Sequence, residues 1–267
     1  MGRIRALFIV ILILALSGMA QAGVDKVALF PVKEGGKWGY INREGKAVIN
    51  LKYSAAGDFS EGLAYAVIGG CCGSKWGFIN GKGEFINQGV YVWANPFSEG
   101  LASVKTPENK WGFIDKGARF VIPPAFNRVG PFSEGLAGVD VSEDPLIRCW
   151  GYIDRTGKMV VKPKFDAAGA FAAGLAPVRK ATKWGYIDPS GKMAIGSRFE
   201  EAEAFSEGLA KVMYGDRYGY INKSGEFVIP PRFEEAGPFS KGLARVEDGG
   251  RWGYIDPQGN YLWRAKD

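Results

Sequence analysis

Short runs of alternating apolar and polar residues, separated by glycine-rich turns, fill most of the sequence. Residues 227–231 (FVIPP), 242–247 (GLARVE) and 251–256 (RWGYID) each have the length of a short β-strand. A turn such as DPSG at 188–191 has Asp first, Pro second and Gly fourth, which suits a type I turn. The pattern predicts an all-β chain built from units of three short strands. In the second strand, Trp and Tyr should share one face, and Gly and Ile the other.

Two sequence motifs recur with the same period. The pentad Trp-Gly-aromatic-Ile-Asp/Asn recurs at steps of 38, 35, 39, 34, 34 and 34 residues. We call its first residue the motif aromatic, and the seven copies begin at Trp38, Trp76, Trp111, Trp150, Trp184, Tyr218 and Trp252. The hexad Phe-Ser-Glu-Gly-Leu-Ala, or a near variant, begins at a residue that we call the link Phe: Phe59, Phe97, Phe132, Phe171, Phe205 and Phe239. The shared period indicates a tandem repeat in which neighbouring units supply each other's core.

The repeats predict a single domain over residues 23–267. Its seven units are bounded at about 24–58, 59–96, 97–131, 132–170, 171–204, 205–238 and 239–267. Residues 28–32 align with 174–178, so the first unit has its own first strand, and the last unit ends in a third strand. This phase favours an elongated, solenoid-like array, and a closed seven-bladed, propeller-like ring is the alternative. Trp263 takes the position of Ile229, where we expect it to cap the terminal core.

The strings KWGYID and FSEGLA resemble the WG repeats found in many bacterial proteins. The match extends from about Val24 to Trp263 and departs in three places: Tyr218 replaces Trp, Ala172-Ala173 replaces Ser-Glu, and Lys241 replaces Glu. The resemblance implies a binding or interaction scaffold, and it supplies no catalytic residue.

The composition argues against most enzyme chemistry. The chain has no histidine, so it lacks the commonest general base, the Ser-His and Cys-His nucleophile pairs and the imidazole metal ligand. Either Asp or Asn ends the pentad, as in Asp188 and Asn222, and an amide cannot transfer a proton. Both residues bond turn amides, so we expect them to make turns. The sequence therefore predicts a non-enzymatic protein without a cofactor or a metal site.

The first 22 residues have the pattern of a secretory signal peptide. Arg3 and Arg5 precede an apolar run from Ala6 to Leu16, and 20–22 (AQA) is a small-x-small cleavage sequence. The run is shorter than the roughly 20 residues of a transmembrane helix. We expect an exported protein, periplasmic or secreted, that meets the membrane only through this segment before cleavage.

The charge pattern gives no sign of a nucleic-acid partner. The net charge of +6 includes Arg3 and Arg5, and the remaining basic residues are scattered singly along the chain. A nucleic-acid binder would gather them on one face.

Irregular positions are the candidates for a ligand site. Two loops are enlarged, 68–75 and 141–148, and insertions in repeat proteins often lie on the binding face. Trp93 takes a position that holds Glu201 in a later repeat, and Tyr91 lies two residues before it. We expect the motif aromatics to be core and Trp93 with Tyr91 to be ligand contacts.

The three cysteines lie in the same irregular regions. Cys71 and Cys72 are in the enlarged loop of the second unit, and Cys149 precedes the motif aromatic of the fourth. A disulfide from Cys149 would have to cross two units, beyond the reach of about 7 Å between bridged Cα atoms, unless the loops fold back. A vicinal disulfide between Cys71 and Cys72 is the alternative.

The expected function is that of a monomeric exported scaffold that binds an unknown protein or peptide through its loop tips and a strand edge. The alternative is attachment to cell-wall or extracellular polysaccharide through Trp93, Tyr91 and other exposed aromatics.

Overall fold

The computed structural model describes residues 28–69, 74–144 and 147–266. The proposed signal peptide and both residues of the proposed vicinal disulfide, Cys71 and Cys72, lie outside the described residues. In the described part, strands form seven consecutive antiparallel sheets and no hydrogen-bonded ladder joins the first sheet to the last. The prediction of an all-β repeat chain is confirmed.

Strands follow chain order within every sheet. The first sheet contains β1 (Phe30–Glu34), β2 (Lys37–Ile41) and β3 (Ala47–Tyr53). The second, third and fourth sheets contain β4 (Ala55–Ala56), β5 (Ala64–Ile68), β6 (Lys75–Ile79) and β7 (Phe85–Tyr91); β8 (Trp93–Ala94), β9 (Ala102–Lys105), β10 (Trp111–Ile114) and β11 (Phe120–Phe126); and β12 (Arg128–Val129), β13 (Leu136–Asp140), β14 (Trp150–Asp154) and β15 (Met159–Phe165). The fifth, sixth and seventh contain β16 (Ala167–Ala168), β17 (Ala176–Lys180), β18 (Lys183–Ile187) and β19 (Met193–Phe199); β20 (Glu201–Ala202), β21 (Ala210–Tyr214), β22 (Arg217–Ile221) and β23 (Phe227–Phe233); and β24 (Glu235–Ala236), β25 (Ala244–Asp248), β26 (Arg251–Ile255) and β27 (Tyr261–Arg264).

The prediction of three strands per unit is wrong for the second to seventh sheets, which have four. The additional strand is two residues long and lies in the segment expected to be an irregular link. In the sixth sheet, Glu201 and Ala202 of β20 pair with Met213 and Val212 of β21. Two residues are too few to show the alternation that identifies a strand in sequence.

Consecutive sheets pack through a joint that is built from the same residue types each time. In the joint between the fifth and sixth sheets, Tyr186 contributes a ring that meets link residue Phe205 with 5.1 Å between centroids. Ile221 of the sixth sheet joins the same core cluster, whereas Ile187 belongs to the cluster on the other side of the fifth sheet. The period-2 prediction of the two faces is therefore confirmed. The Tyr186 hydroxyl donates to the Glu203 carbonyl at 2.8 Å, which satisfies the one polar atom of this buried ring.

The glycine of the pentad is required by a close backbone approach. The pairing between β18 and β19 shifts register after Trp184, and the shift brings the backbone of β19 close to Gly185. A Cβ atom on Gly185 would lie 2.5 Å from the Ile195 carbonyl oxygen and 2.7 Å from Met193 Cε. No larger residue fits this position without moving β19.

Each Ser-Glu-Gly-Leu segment forms a two-residue hairpin turn. Glu207 has φ 52° and Gly208 has φ 88°, as the two central positions of a type I′ turn require. A glutamate in the left-handed region is unfavourable by about 1 kcal/mol. Its carboxylate accepts hydrogen bonds from the backbone N–H groups of Lys241 and Gly242 in the following turn, at 2.7 and 2.8 Å, and these charge-assisted bonds offset that cost. Glu61, Glu99 and Glu134 bind the next turn in the same way.

The sequence departures in these turns have a structural consequence. Ala173 supplies no carboxylate, so the joint between the fifth and sixth sheets lacks this bond. Lys241 occupies the last turn in the described residues, and no further hexad turn follows it there to receive a carboxylate. The exchange of Glu for Lys is therefore compatible with that position.

The Asp or Asn that ends the pentad makes a turn, as predicted. Asp188 Oδ1 accepts hydrogen bonds from the backbone N–H groups of Ser190 and Lys192, and Asn222 Oδ1 accepts from those of Ser224 and Glu226. The acid and the amide thus do the same structural work.

Aromatic residues of the last sheet are exposed where their counterparts are buried. Tyr254 is 43% exposed, whereas Tyr186 and Tyr220 are fully buried. Trp263 is 57% exposed, although Ile229 at the equivalent position is buried. The expectation that Trp263 caps the terminal core is therefore wrong. It lies on the outer face of the seventh sheet and contacts Tyr254 with 6.5 Å between ring centroids.

We expect Gly185→Ala to lower the free energy of unfolding by about 2 kcal/mol, because its methyl group meets the Ile195 carbonyl. Gly196→Ala is the matched control in the next strand, since no atom lies within 4 Å of the position of its Cβ. Urea unfolding followed by circular dichroism measures both variants. Equal stability of the two variants would contradict the close-approach explanation.

Candidate functional site

The motif aromatics are not free platforms along the surface. Tyr218 is buried and the other six are half-buried, five of them packed against core clusters. Several are also covered by a basic side chain: the Arg245 guanidinium lies 3.8 Å from the ring centroid of Trp252, and the Lys211 ammonium lies 4.8 Å from that of Tyr218. These cation–π contacts use the ring faces that a ligand would need. The prediction of a structural role for the motif aromatics agrees with these positions.

The second repeat differs, because aromatic rings take the place of the basic cover. Tyr65 lies on Trp76 with 5.4 Å between ring centroids, and Trp93 stacks on Trp76 with 4.7 Å between centroids and 27° between planes. We call Tyr65, Trp76 and Trp93 the aromatic stack. Trp93 comes from β8 of the third sheet, so the stack bridges two sheets.

Trp93 presents its indole to solvent. Its side chain is 50% exposed, and its Nε1–H donates to Asn95 Oδ1 at 3.2 Å. Asn95 in turn donates to Ser103 Oγ at 2.9 Å, so the ring orientation is fixed by hydrogen bonds as well as by stacking. A fixed, half-exposed indole can stack against a sugar ring or against an apolar side chain of a peptide.

Tyr91 does not share this surface. It is 5% exposed, pairs with Trp76 across the sheet and meets Phe120 with 6.3 Å between ring centroids. Its hydroxyl accepts a hydrogen bond from Asn87 at 2.9 Å, and burial raises the pKa of this phenol. The chain bends at Val92, so residues 91 and 93 belong to different strands rather than to one face of a single strand. The structure therefore removes Tyr91 from the candidate ligand contacts.

A second surface feature is a set of exposed aliphatic residues, one per sheet, on the strand that comes last in the sheet. We call it the aliphatic stripe: Val48, Ile86, Val121, Val160, Ala194, Val228 and Leu262. This last strand pairs with a neighbour on one side only, so these residues lie on sheet edges. The sequence has one such aliphatic residue in the last strand of each sheet. A branched aliphatic residue in a strand indicates core as readily as surface, so the sequence alone does not identify the stripe.

The enlarged loop before Trp150 is held by an aspartate that the sequence did not single out. Asp140 is buried, and its Oδ1 accepts from the backbone N–H groups of Ser142 and Cys149 at 3.0 and 3.1 Å. Burial disfavours the charged form, but these hydrogen bonds and the nearby Arg148 outweigh it and lower the pKa of the carboxyl group. Cys149 is a half-buried free thiol. Asp140 thus closes the base of the loop.

Two negative findings apply to the described residues. They contain no cluster of three or more acidic, cysteine or histidine side chains arranged to hold a metal ion. They also contain no helix with the length and apolar character needed to cross a membrane.

The repeat geometry agrees with a family assignment from the sequence. The model of the WG containing repeat matches residues 38–70, 76–111, 111–142, 150–183, 184–218 and 218–252. The chain is a WG-repeat protein. The matched segments each begin at a motif aromatic, so each unit of the family repeat starts at the pentad strand. No curated protein matches the WG-repeat chain significantly.

Solved structures with a similar fold share little sequence with this WG-repeat protein. BamB from Moraxella catarrhalis has a TM-score of 0.52 and 11% identity, with 89% of this chain and 87% of that chain covered. Hsv2 from Kluyvelomyces marxianus has a TM-score of 0.55 and 8% identity, with coverages of 90% and 95%. The Dos1 propeller has a TM-score of 0.50 and 14% identity, with coverages of 84% and 71%. At these identities the likeness concerns the fold alone, which is that of β-propeller-like sheets in tandem.

Replacing Tyr91 and Trp93 one at a time separates core from surface. Tyr91→Ala should lower the free energy of unfolding by about 3 kcal/mol, because it leaves a cavity in the core. Trp93→Ala should cost about 1 kcal/mol or less, since it removes a stacking contact from a half-exposed side chain. Urea unfolding measures both. A loss for Trp93→Ala as large as that for Tyr91→Ala would identify Trp93 as core.

Proposed function

We propose that this WG-repeat protein is an exported, non-catalytic scaffold whose open array of sheets binds protein or peptide along its strand edges. The observation that carries the proposal is the aliphatic stripe. Six of its seven members have between 37% and 63% of their surface exposed. Exposed apolar residues that recur at one position of every sheet are candidates for an interaction surface. An array that repeats the same contact residue suits an extended partner.

The edges differ in their capacity to pair with a partner strand. Two successive prolines stand in β11 (Pro123 and Pro124) and in β23 (Pro230 and Pro231), and proline has no N–H to donate. At the same positions β19 has Gly196 and Ser197, both exposed. An extended peptide can therefore add to the β19 edge through main-chain hydrogen bonds. Ala194 is the member of the stripe on β19, and Val160 and Val228 are its members on the two neighbouring sheets.

The natural prolines provide a matched test of this mode. Gly196→Pro/Ser197→Pro gives β19 the residues that β23 already accommodates, so the fold should be retained while edge donors are lost. Peptides selected from a random display library against the wild-type protein should have alternating apolar residues. Their affinity should fall about tenfold or more in the proline variant, since main-chain pairing supplies much of the affinity in strand addition.

Gly196→Ala/Ser197→Ala keeps both N–H groups and should bind the selected peptides as the wild type does. Val160→Lys/Val228→Lys tests the stripe itself and should weaken binding without changing the fold, because both valines are exposed. A library that yields no binder, or binders indifferent to the proline and lysine variants, would refute the proposal.

A second candidate function, polysaccharide attachment, is favoured by the aromatic stack. The exposed face of Trp93 is held in place from below by Trp76, as a sugar-stacking platform requires. On this hypothesis the purified protein should sediment saturably with insoluble cell-wall material, and Trp93→Ala should reduce that binding. Gly196→Pro/Ser197→Pro should have no effect on it, because β19 does not contribute to the stack. Absence of sedimentation would leave peptide binding as the function.

A further inference from the structure

Three contacts recur where one sheet meets the next, and the joint between the sixth and seventh sheets shows all of them. Tyr220 meets link residue Phe239 with 4.8 Å between ring centroids. Ile229 lies against the turn glycine Gly259, where a Cβ would be 3.3 Å from the Ile229 side chain. The Arg232 guanidinium donates to the Gly259 carbonyl at 2.8 Å.

The same contacts repeat at earlier joints. Turn glycines 83, 157, 191 and 225 each face an isoleucine or valine of the preceding sheet, with 2.7–3.2 Å between that side chain and the position of a Cβ. Basic residues Lys52 and Lys164 donate to the carbonyls of Gly83 and Gly191 at 3.2 Å, and Arg198 donates to that of Gly225.

The seventh sheet presents one half of such a joint to solvent. Tyr254 and Trp263 occupy the positions of Tyr220 and Ile229, one repeat later, and each pair lies side by side across its own sheet. Both Tyr254 and Trp263 are exposed. The partners that their counterparts find in the next sheet are not met in the described part of this chain.

The first sheet presents the complementary half. Gly45 is the turn glycine of this sheet, and no atom lies within 4 Å of the position of its Cβ, unlike the glycines at the internal joints. Phe30 is 45% exposed and offers an aromatic face on β1, and Ile41 is half-buried although Ile221 and Ile255 at the same position are fully buried. Among the described residues, no sheet covers this face of the first sheet as a preceding sheet covers the equivalent face of each later one.

Both faces carry a larger side chain than an internal joint does. Trp263 is larger than the isoleucine or valine that its position holds at most internal joints. Phe30 lies opposite Ile41, where the later sheets have alanine, as in Ala244 opposite Ile255. A cleft of about 1070 Å³ lies beside Phe30 and is lined in part by Val48 and Phe59. At the two ends of the array, exposed aromatic residues thus replace the smaller side chains of the internal joints.

We propose that the two halves bind each other between copies of this chain, so that the protein associates head to tail. Tyr254 and Trp263 of one copy pack on Phe30 and Gly45 of the next. The contact uses the same two faces that meet at an internal joint. Because its two surfaces differ, it is heterologous and generates rings or filaments. It differs from the monomer expected from sequence, and it is independent of peptide binding at β19.

The test is sedimentation velocity of the purified protein over a range of concentrations up to about 0.1 mM, where an association of even modest affinity is populated. The wild type should form species larger than the monomer as concentration rises. Trp263→Glu and Phe30→Glu should each remain monomeric. Leu262→Lys is the matched control, since it changes the adjacent exposed residue on the aliphatic stripe and should associate as the wild type does.

Mixing the two variants gives the decisive result. Trp263→Glu retains an intact first-sheet half and Phe30→Glu retains an intact seventh-sheet half, so an equimolar mixture should form dimers and nothing larger. Formation of the dimer also shows that both variants are folded. The proposal is overturned if the wild type stays monomeric throughout, if either variant associates on its own as the wild type does, or if the mixture stays monomeric.

Discussion

The packing of one sheet's buried tyrosine or phenylalanine against the next sheet's link Phe is the contact on which the rest of this structure depends. A three- or four-stranded sheet of such short strands has too little apolar surface for a core of its own. The joints supply that core, and rings such as Tyr152 and Phe171, 4.9 Å apart, are buried only because two sheets meet. Stability is then a property of neighbouring sheets rather than of single ones.

The other recurring residues serve to hold this contact in one geometry. The pentad glycine lets the last strand of the sheet approach until one of its carbonyl oxygens touches the pentad strand. The hydroxyl of the buried tyrosine and the carboxylate of the turn glutamate then fix the distance to the following sheet by bonding its backbone. Most of these partners are main-chain atoms, so the identity of the facing side chain is free to vary between repeats.

Sequence reasoning was accurate wherever the cause was local. The alternation in RWGYID correctly placed Tyr254 and Ile255 on opposite faces, and the Asp or Asn that ends the pentad makes the predicted turn. It was wrong or silent where the cause lies in another strand or in the next sheet. The two-residue strand β20 exists because β21 offers a partner, and Glu207 bonds a turn 35 residues later. Tyr91 and Trp93 are separated by a bend at Val92 that no residue type at that position signals. Trp263 was assigned to a cap by analogy with Ile229, although the sheet that buries Ile229 has no equivalent beyond Trp263 in the described residues.

The missing carboxylate at Ala173 gives one joint a different physical character. Between the fifth and sixth sheets, Phe199, Tyr214 and Phe227 form an additional group of rings with centroids 5.9–6.5 Å apart. Cohesion at the turns of this joint owes nothing to a glutamate charge, whereas the turns that Glu61, Glu99, Glu134 and Glu207 connect depend on one. The fifth and sixth sheets are therefore held together by ring packing and by the Lys183–Glu200 ion pair, without a carboxylate that joins their two turns.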